Sequence, residues 1–136
     1  MSKEIRYWIQ KADLTVREFP PADALDAVAA FQQHDWQAEL AMRAELEESG
    51  GELCDPGLGF VDSGPRILHI CPLDGTDVYF HYHFQQSRKV LWLFPVTVQM
   101  TSSNMRMNSQ RMPEVIQNFF SENHEWLLEH SNVPGT

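Results

Sequence analysis

The sequence predicts an α+β domain: an antiparallel sheet of four to six strands with helices packed on one face. Three observations carry this expectation. Two β-rich runs flank Asp74-Gly75 within residues 66–84, which is a hairpin signal. Residues 22–48 and 113–130 place apolar side chains at helical spacing. The expected order, β-β-α-α-β-β-β-β-α, clusters strands with strands instead of alternating them with helices, so antiparallel pairing is favoured. At 136 residues the chain suits one domain, spanning residues 1–136, and is long enough to bury a real core.

Residues 3–10 alternate, with Ile5, Tyr7 and Ile9 on one side and Arg6, Trp8 and Gln10 on the other, the period of a strand. A second short strand is expected over 14–19, stopped by Pro20-Pro21, with Pro21 suited to the first turn of a helix. Residues 22–33 follow as a helix with Leu25, Val28 and Phe31 on one stripe. At His34-Asp35 the helix bends or restarts, Asp35 being a good N-cap, and Gly50-Gly51 stops it. Glu45, Glu47 and Glu48 near that end oppose the helix dipole and read as a solvated face.

Gly and Pro bracket a short strand at Leu58-Gly59-Phe60-Val61, before the hairpin strands at 66–71 and 77–84. A further strand is expected from about 88 to 100, with Val90, Trp92, Phe94, Val96 and Val98 on one side. Residues 101–111 are polar and read as a loop. The last helix, 113–130, opens at Pro113 and aligns Ile116, Phe119, Phe120, Asn123 and Leu127.

Loop length decides which hairpin residues share a face, because a one-residue slip inverts a strand. A two-residue turn at Asp74-Gly75 would put Leu68 and Ile70 beside His81 and His83. A three-residue loop, type I turn then left-handed Gly75, puts them instead with Val78, Phe80, Tyr82 and Phe84. It also gathers Ile67, His69 and Cys71 with Tyr79, His81 and His83. Only the second register separates apolar from polar, so it is the one expected.

Ten Lys and Arg against 19 Asp and Glu give a formal charge of −9, which argues against a general nucleic-acid or anionic-membrane binder. No apolar stretch resembling a signal peptide follows the start, and no run reaches the length of a bilayer span. Two cysteines are too few for a disulfide scaffold, so a cytoplasmic protein with reduced thiols is expected. Phosphate-binding glycine motifs and the Gly-x-Ser-x-Gly nucleophile elbow are missing from the sequence. Asp55 and Asp62 could form a carboxylate cluster, although acids beside glycines are usually turn formers.

The leading expectation is a non-enzymatic protein-binding domain of the immunity-protein, secretion-chaperone or adaptor type, an analogy of size, charge and class. Its candidate partner-binding residues are Trp8, His69, Tyr79, His81 and His83, and the partner is another protein, a basic one suiting the acidity. The alternative is a metal-dependent small-molecule binder or hydrolase holding a divalent transition metal on His69, Cys71, His81 and His83. His-x-His on a strand sets both rings on one side about 7 Å apart, which an ion can bridge when rotamers converge. A homodimer through an exposed strand edge or a Met/aromatic patch is a third expectation.

Overall fold

The structure, a computed structural model, describes residues 5–20, 23–62, 64–90 and 94–132, without the side chains of 88–90. The expectations for Pro21, for Trp92 and for the strand's start at residues 3–4 lie outside the described residues. The strands are β1 (Arg6–Gln10), β2 (Val16–Phe19), β3 (Gly57–Val61), β4 (Ile67–Pro72), β5 (Asp77–Val90) and β6 (Phe94–Asn108). The helices are α1 (Ala24–Gln33), α2 (Trp36–Ser49), α3 (Met112–Phe120) and α4 (His124–Glu129), with a 3-10 turn at Ser109–Arg111. All six strands join one sheet in the order β2-β1-β3-β4-β5-β6, every neighbouring pair antiparallel. The α+β class and the element order are those the sequence predicts.

The core lies between α1, α3, α4 and one face of the sheet. Ile5, Tyr7, Ile9, Leu58, Phe60, Leu68, Ile70, Val78, Phe80, Tyr82 and Phe84 supply the sheet side. Ala27, Val28 and Phe31 of α1, Val115, Ile116 and Phe119 of α3, and Leu127 of α4 supply the helix side. Fully burying side chains of this size is worth about 1.5–3 kcal/mol each, so this layer dominates stability.

Residues 24–49 form two helices, not one bent one. Asp35 Oδ1 accepts from the Ala38 N–H at 3.0 Å and starts α2, and Gly50 ends it with φ +74°, a conformation glycine adopts without a Cβ clash. Helix α2 touches the core through half-buried Trp36, whose ring lies 4.9 Å from that of Phe31, and otherwise lies outside the core layer. It crosses the loop end of the β4–β5 hairpin, with Gln37 against Gly75. It is tied down by Glu39, whose carboxylate accepts from the Ala12 N–H at 3.3 Å and lies 2.6 Å from His34 Nε2.

Several boundaries differ from expectation, each for a local reason. Leu25 is 70% exposed, and the buried stripe of α1 runs through Ala27, Val28 and Phe31, where small side chains let the helix lie close. Residues 88–90 end β5 and 94–100 begin β6, so the single strand expected over 88–100 is two strands of one ribbon. The stretch 101–108 is strand, not loop. There Ser102, fully buried, occupies the core position, and a small polar residue in place of an apolar one erases the period-2 signal. Its hydroxyl meets that of Ser131 just beyond α4, an approach a larger side chain would block. The last helix breaks at Ser121–Asn123, with Glu122 at φ +61° and Asn123 capping α4 by accepting from the Trp126 N–H at 3.3 Å. Phe120 consequently stays half-buried and Asn123 exposed.

The hairpin has the expected register, with Leu68 opposite Tyr82, His69 opposite His81 and Ile70 opposite Phe80. Its loop is closed by the Leu73 N–H donating to the Asp77 carbonyl at 2.9 Å. Gly75, however, is not left-handed. Asp74 shapes the loop instead: its Oδ1 accepts from the N–H groups of Thr76 and Asp77, both at 2.8 Å, and from the Thr76 hydroxyl at 3.0 Å. These bonds hold the Asp74 carboxyl down at about 2.

Candidate protein-binding face

Strand pleating sends alternate residues of β4 and β5 to the face away from the core, and the register lines them up across strands. One transverse row reads Trp8, Gly59, His69, His81, Ser103 from β1 to β6. The next reads Val61, Ile67, His83, Thr101. Gly59 is the gap that makes Trp8 part of this cluster. A Cβ built there would sit 2.3 Å from the indole ring, so the ring lies on bare backbone and leans toward His69. Sequence reasoning named Trp8 and the histidines but not this link; a glycine inside a strand was the available signal.

The histidines are not equivalent. His81 Nδ1 lies 2.6 Å from the Ser103 hydroxyl and His83 Nδ1 2.9 Å from that of Thr101, which fixes both rings with their Nε2 atoms turned away from these partners. The His81 and His83 rings stand 6.4 Å apart. Burial, with the charges of His81 and His83, lowers the His69 pKa, and burial with His81 lowers that of His83. Both rings are therefore neutral at pH 7.

Tyr79 stands apart from the other candidates because it is buried. Its hydroxyl donates to Asp55 Oδ2 at 2.8 Å, while Arg43 of α2 donates to Asp55 Oδ1 at 2.7 Å. Burial pushes the Asp55 carboxyl up, but these two bonds outweigh it and hold the pKa low. Asp62 shares none of these partners. It turns the β3–β4 connection, accepting from the N–H groups of Gly64 at 2.8 Å and Arg66 at 3.2 Å, so the two acids form no cluster.

Cys71 is buried with its Sγ 3.8 Å from His69 Nδ1, and burial raises its pKa to about 12. Burial thus packs the thiol and disfavours the thiolate, which is the reactive form. Among the described residues no three His, Cys, Asp or Glu side chains gather in a metal-binding arrangement. His69, Cys71, His81 and His83 do share a face, but two of the three imidazoles already spend one nitrogen on a hydroxyl.

Two open concavities lie on this face. The larger, about 740 Å³, is lined by Trp8, Gln10, Pro65, Ile67, His69, His83, Gln85 and Gln99. The smaller, about 420 Å³, lies between α2 and the hairpin, with Leu40, Arg43, Asp55, Tyr79, His81 and Met105 on its walls. Sequence reasoning missed Gln85 and Gln99, which face each other in the β5–β6 register and form one wall of the larger basin. No helix among the described residues is long and apolar enough to cross a membrane. No family model, curated protein or solved structure matches the chain, so its function rests on these residues.

Proposed function

We propose that the chain is a non-enzymatic protein-binding domain, of the immunity-protein, chaperone or adaptor type, that masks a partner's surface with the face bearing Trp8, His69, His81 and His83. The observation carrying this is the larger basin. Its lining is uncharged, and Trp8, Gln85 and Gln99 make no side-chain hydrogen bonds among the described residues. Hydrogen-bonding capacity left unspent around a half-buried tryptophan is the make-up of a binding hot spot. The basin is also shallow and wide, which suits a protein surface better than an enclosed small molecule. Tyr79 supports this face from below, and the neighbouring acidic helix α2 would add attraction for a basic partner.

The test is affinity capture with the full chain and with a Gln85→Glu/Gln99→Glu double variant, whose changes lie on exposed positions. A partner retained by the original chain and lost on the order of tenfold by the variant is the expected outcome. No capture at high bait concentration, or capture indifferent to both substitutions, refutes the reading.

A further inference from the structure

The larger basin has a chemical bias that its size alone does not show. At one end the indole of Trp8 is held flat. A Cβ at Gly59 would stand 2.3 Å from both Cε2 and Cζ2 of the ring and 2.8 Å from Nε1, so the strand backbone lies under one flat side of the indole. The other flat side is turned away from the sheet, toward the mouth of the basin. Pro65 and half-buried Ile67 continue this apolar strip. At the far end Gln85 and Gln99, both exposed, face each other across β5 and β6.

Hydrogen-bonding capacity along the strip is lopsided. The Trp8 indole has an N–H to give and no acceptor, and each glutamine amide brings more N–H than oxygen. These side chains make no hydrogen bonds among the described residues. An occupant that supplies acceptors without asking for as many in return suits this lining. A helix spends its carbonyls internally, and an ordinary extended strand brings an N–H for every carbonyl. A proline-rich segment brings carbonyls without N–H groups, and its apolar rings suit an aromatic surface. We infer that the basin seats an uncharged, proline-rich segment of a partner protein in the polyproline II conformation. This rests on the protein-binding reading above and names the partner's chemistry at that site.

Size and charge agree with this occupant. Trp8 shares a row with His81, and Gln85, further along β5, pairs with Gln99 on β6. From Trp8 to Gln99 the span is thus roughly 20–25 Å at a strand spacing of about 4.8 Å. A polyproline II run covers that in about seven or eight residues. The lining contains no Asp, Glu, Lys or Arg to pair with a charged side chain, and the net charge of −9 disfavours acidic flanks. Such a segment is extended before it docks and loses little conformational freedom, so a shallow seat can hold it.

Decaproline is the probe, titrated into the full chain at neutral pH. Two-dimensional NMR follows the Trp8 indole N–H and the side-chain amides of Gln85 and Gln99. Saturable shifts of these signals are expected with decaproline and not with a Gly-Ser peptide of equal length. Trp8→Ala and the Gln85→Glu/Gln99→Glu pair should each weaken binding at least about tenfold, the pair because carboxylates accept but do not donate. The glutamine positions are exposed, so this variant carries the test where Trp8→Ala unfolds the chain. Leu25→Lys, on the exposed side of α1, leaves binding unchanged. No shift at millimolar decaproline, equal shifts with the Gly-Ser peptide, or affinity indifferent to the glutamine pair would overturn the inference. Shifts with cellohexaose in place of decaproline would overturn it too, and assign the basin to a saccharide. If decaproline fails while a captured partner still depends on Gln85 and Gln99, the proline-rich occupant is refuted and the protein-binding reading stands.

Discussion

The two faces of the β4–β5 hairpin come from the same dozen residues and obey different physics. On the core side Leu68, Ile70, Val78, Phe80, Tyr82 and Phe84 are all at most 4% exposed and packed under helices. On the other side His69, His81 and His83 are only half-buried, each polar atom that matters facing a hydroxyl, a sulfur or open space. The first face derives its energy from area removed from water and tolerates no cavity. The second keeps hydrogen-bonding capacity in reserve, which is what recognition needs and what a core cannot hold.

Phe80→Ala against His81→Ala is the sharpest way to break this contrast. Loss of a fully buried ring should cost about 3–5 kcal/mol, and loss of the half-exposed imidazole about 1 kcal/mol or less. Chemical denaturation measures both, and equal costs would mean that the histidine face is a second core. Tyr82 probes a polar thread through the apolar face. Arg66 Nε donates to its hydroxyl at 2.7 Å, and that hydroxyl donates on to His124 Nδ1 at 2.8 Å. Tyr82→Phe keeps the ring and strands both partners, so a loss of about 1–3 kcal/mol is expected, with the near-UV spectrum retained.

Acid separates the groups by window. Burial lowers the pKa values of His69, His83 and His124, with the charge of Arg66 adding to the effect at His124. Each is neutral in the fold and takes up a proton more readily when unfolded. Their stabilisation is therefore complete above about pH 6.5 and is lost as pH falls below it through the folded values. Asp55, held low by Tyr79 and Arg43, contributes in the opposite range: its stabilisation is present above about pH 4 and lost below. Denaturation midpoints should decline between pH 7 and pH 5, then again below pH 4. A flat response from 7 to 5 would contradict the burial of these imidazoles.

The smallest expected effect concerns metal. With His81 and His83 each committed to a hydroxyl and no third donor converging among the described residues, added zinc or copper at a few equivalents should move the melting temperature by less than about 1 °C. A larger rise that disappears in His81→Ala would show that these rings repack around an ion.

Much of the fold was legible because its signals are local. Period-2 alternation in β1, the Asp35 cap, the Gly50 stop and the even-numbered register of the hairpin are consequences of neighbouring residues. What was not legible depends on contact between distant segments. The strand over 101–108 exists because Thr101 and Ser103 reach His83 and His81 and because Ser102 lets Ser131 approach. The candidate site divides the same way: the sequence placed His69, His81 and His83 on one face. It could not show that Trp8 joins them across Gly59, or that Tyr79 is covered by the Arg43–Asp55 pair.

The sequence by itself determined the class of fold, the order of elements and which hairpin residues face the core, since pleat and turn length leave no other way to bury six apolar side chains. Tertiary structure alone decided strand order, the break between α3 and α4, and which two strands, β2 and β6, end the sheet. Those features depend on which segments meet. An edge is an edge only once every other strand has found its place.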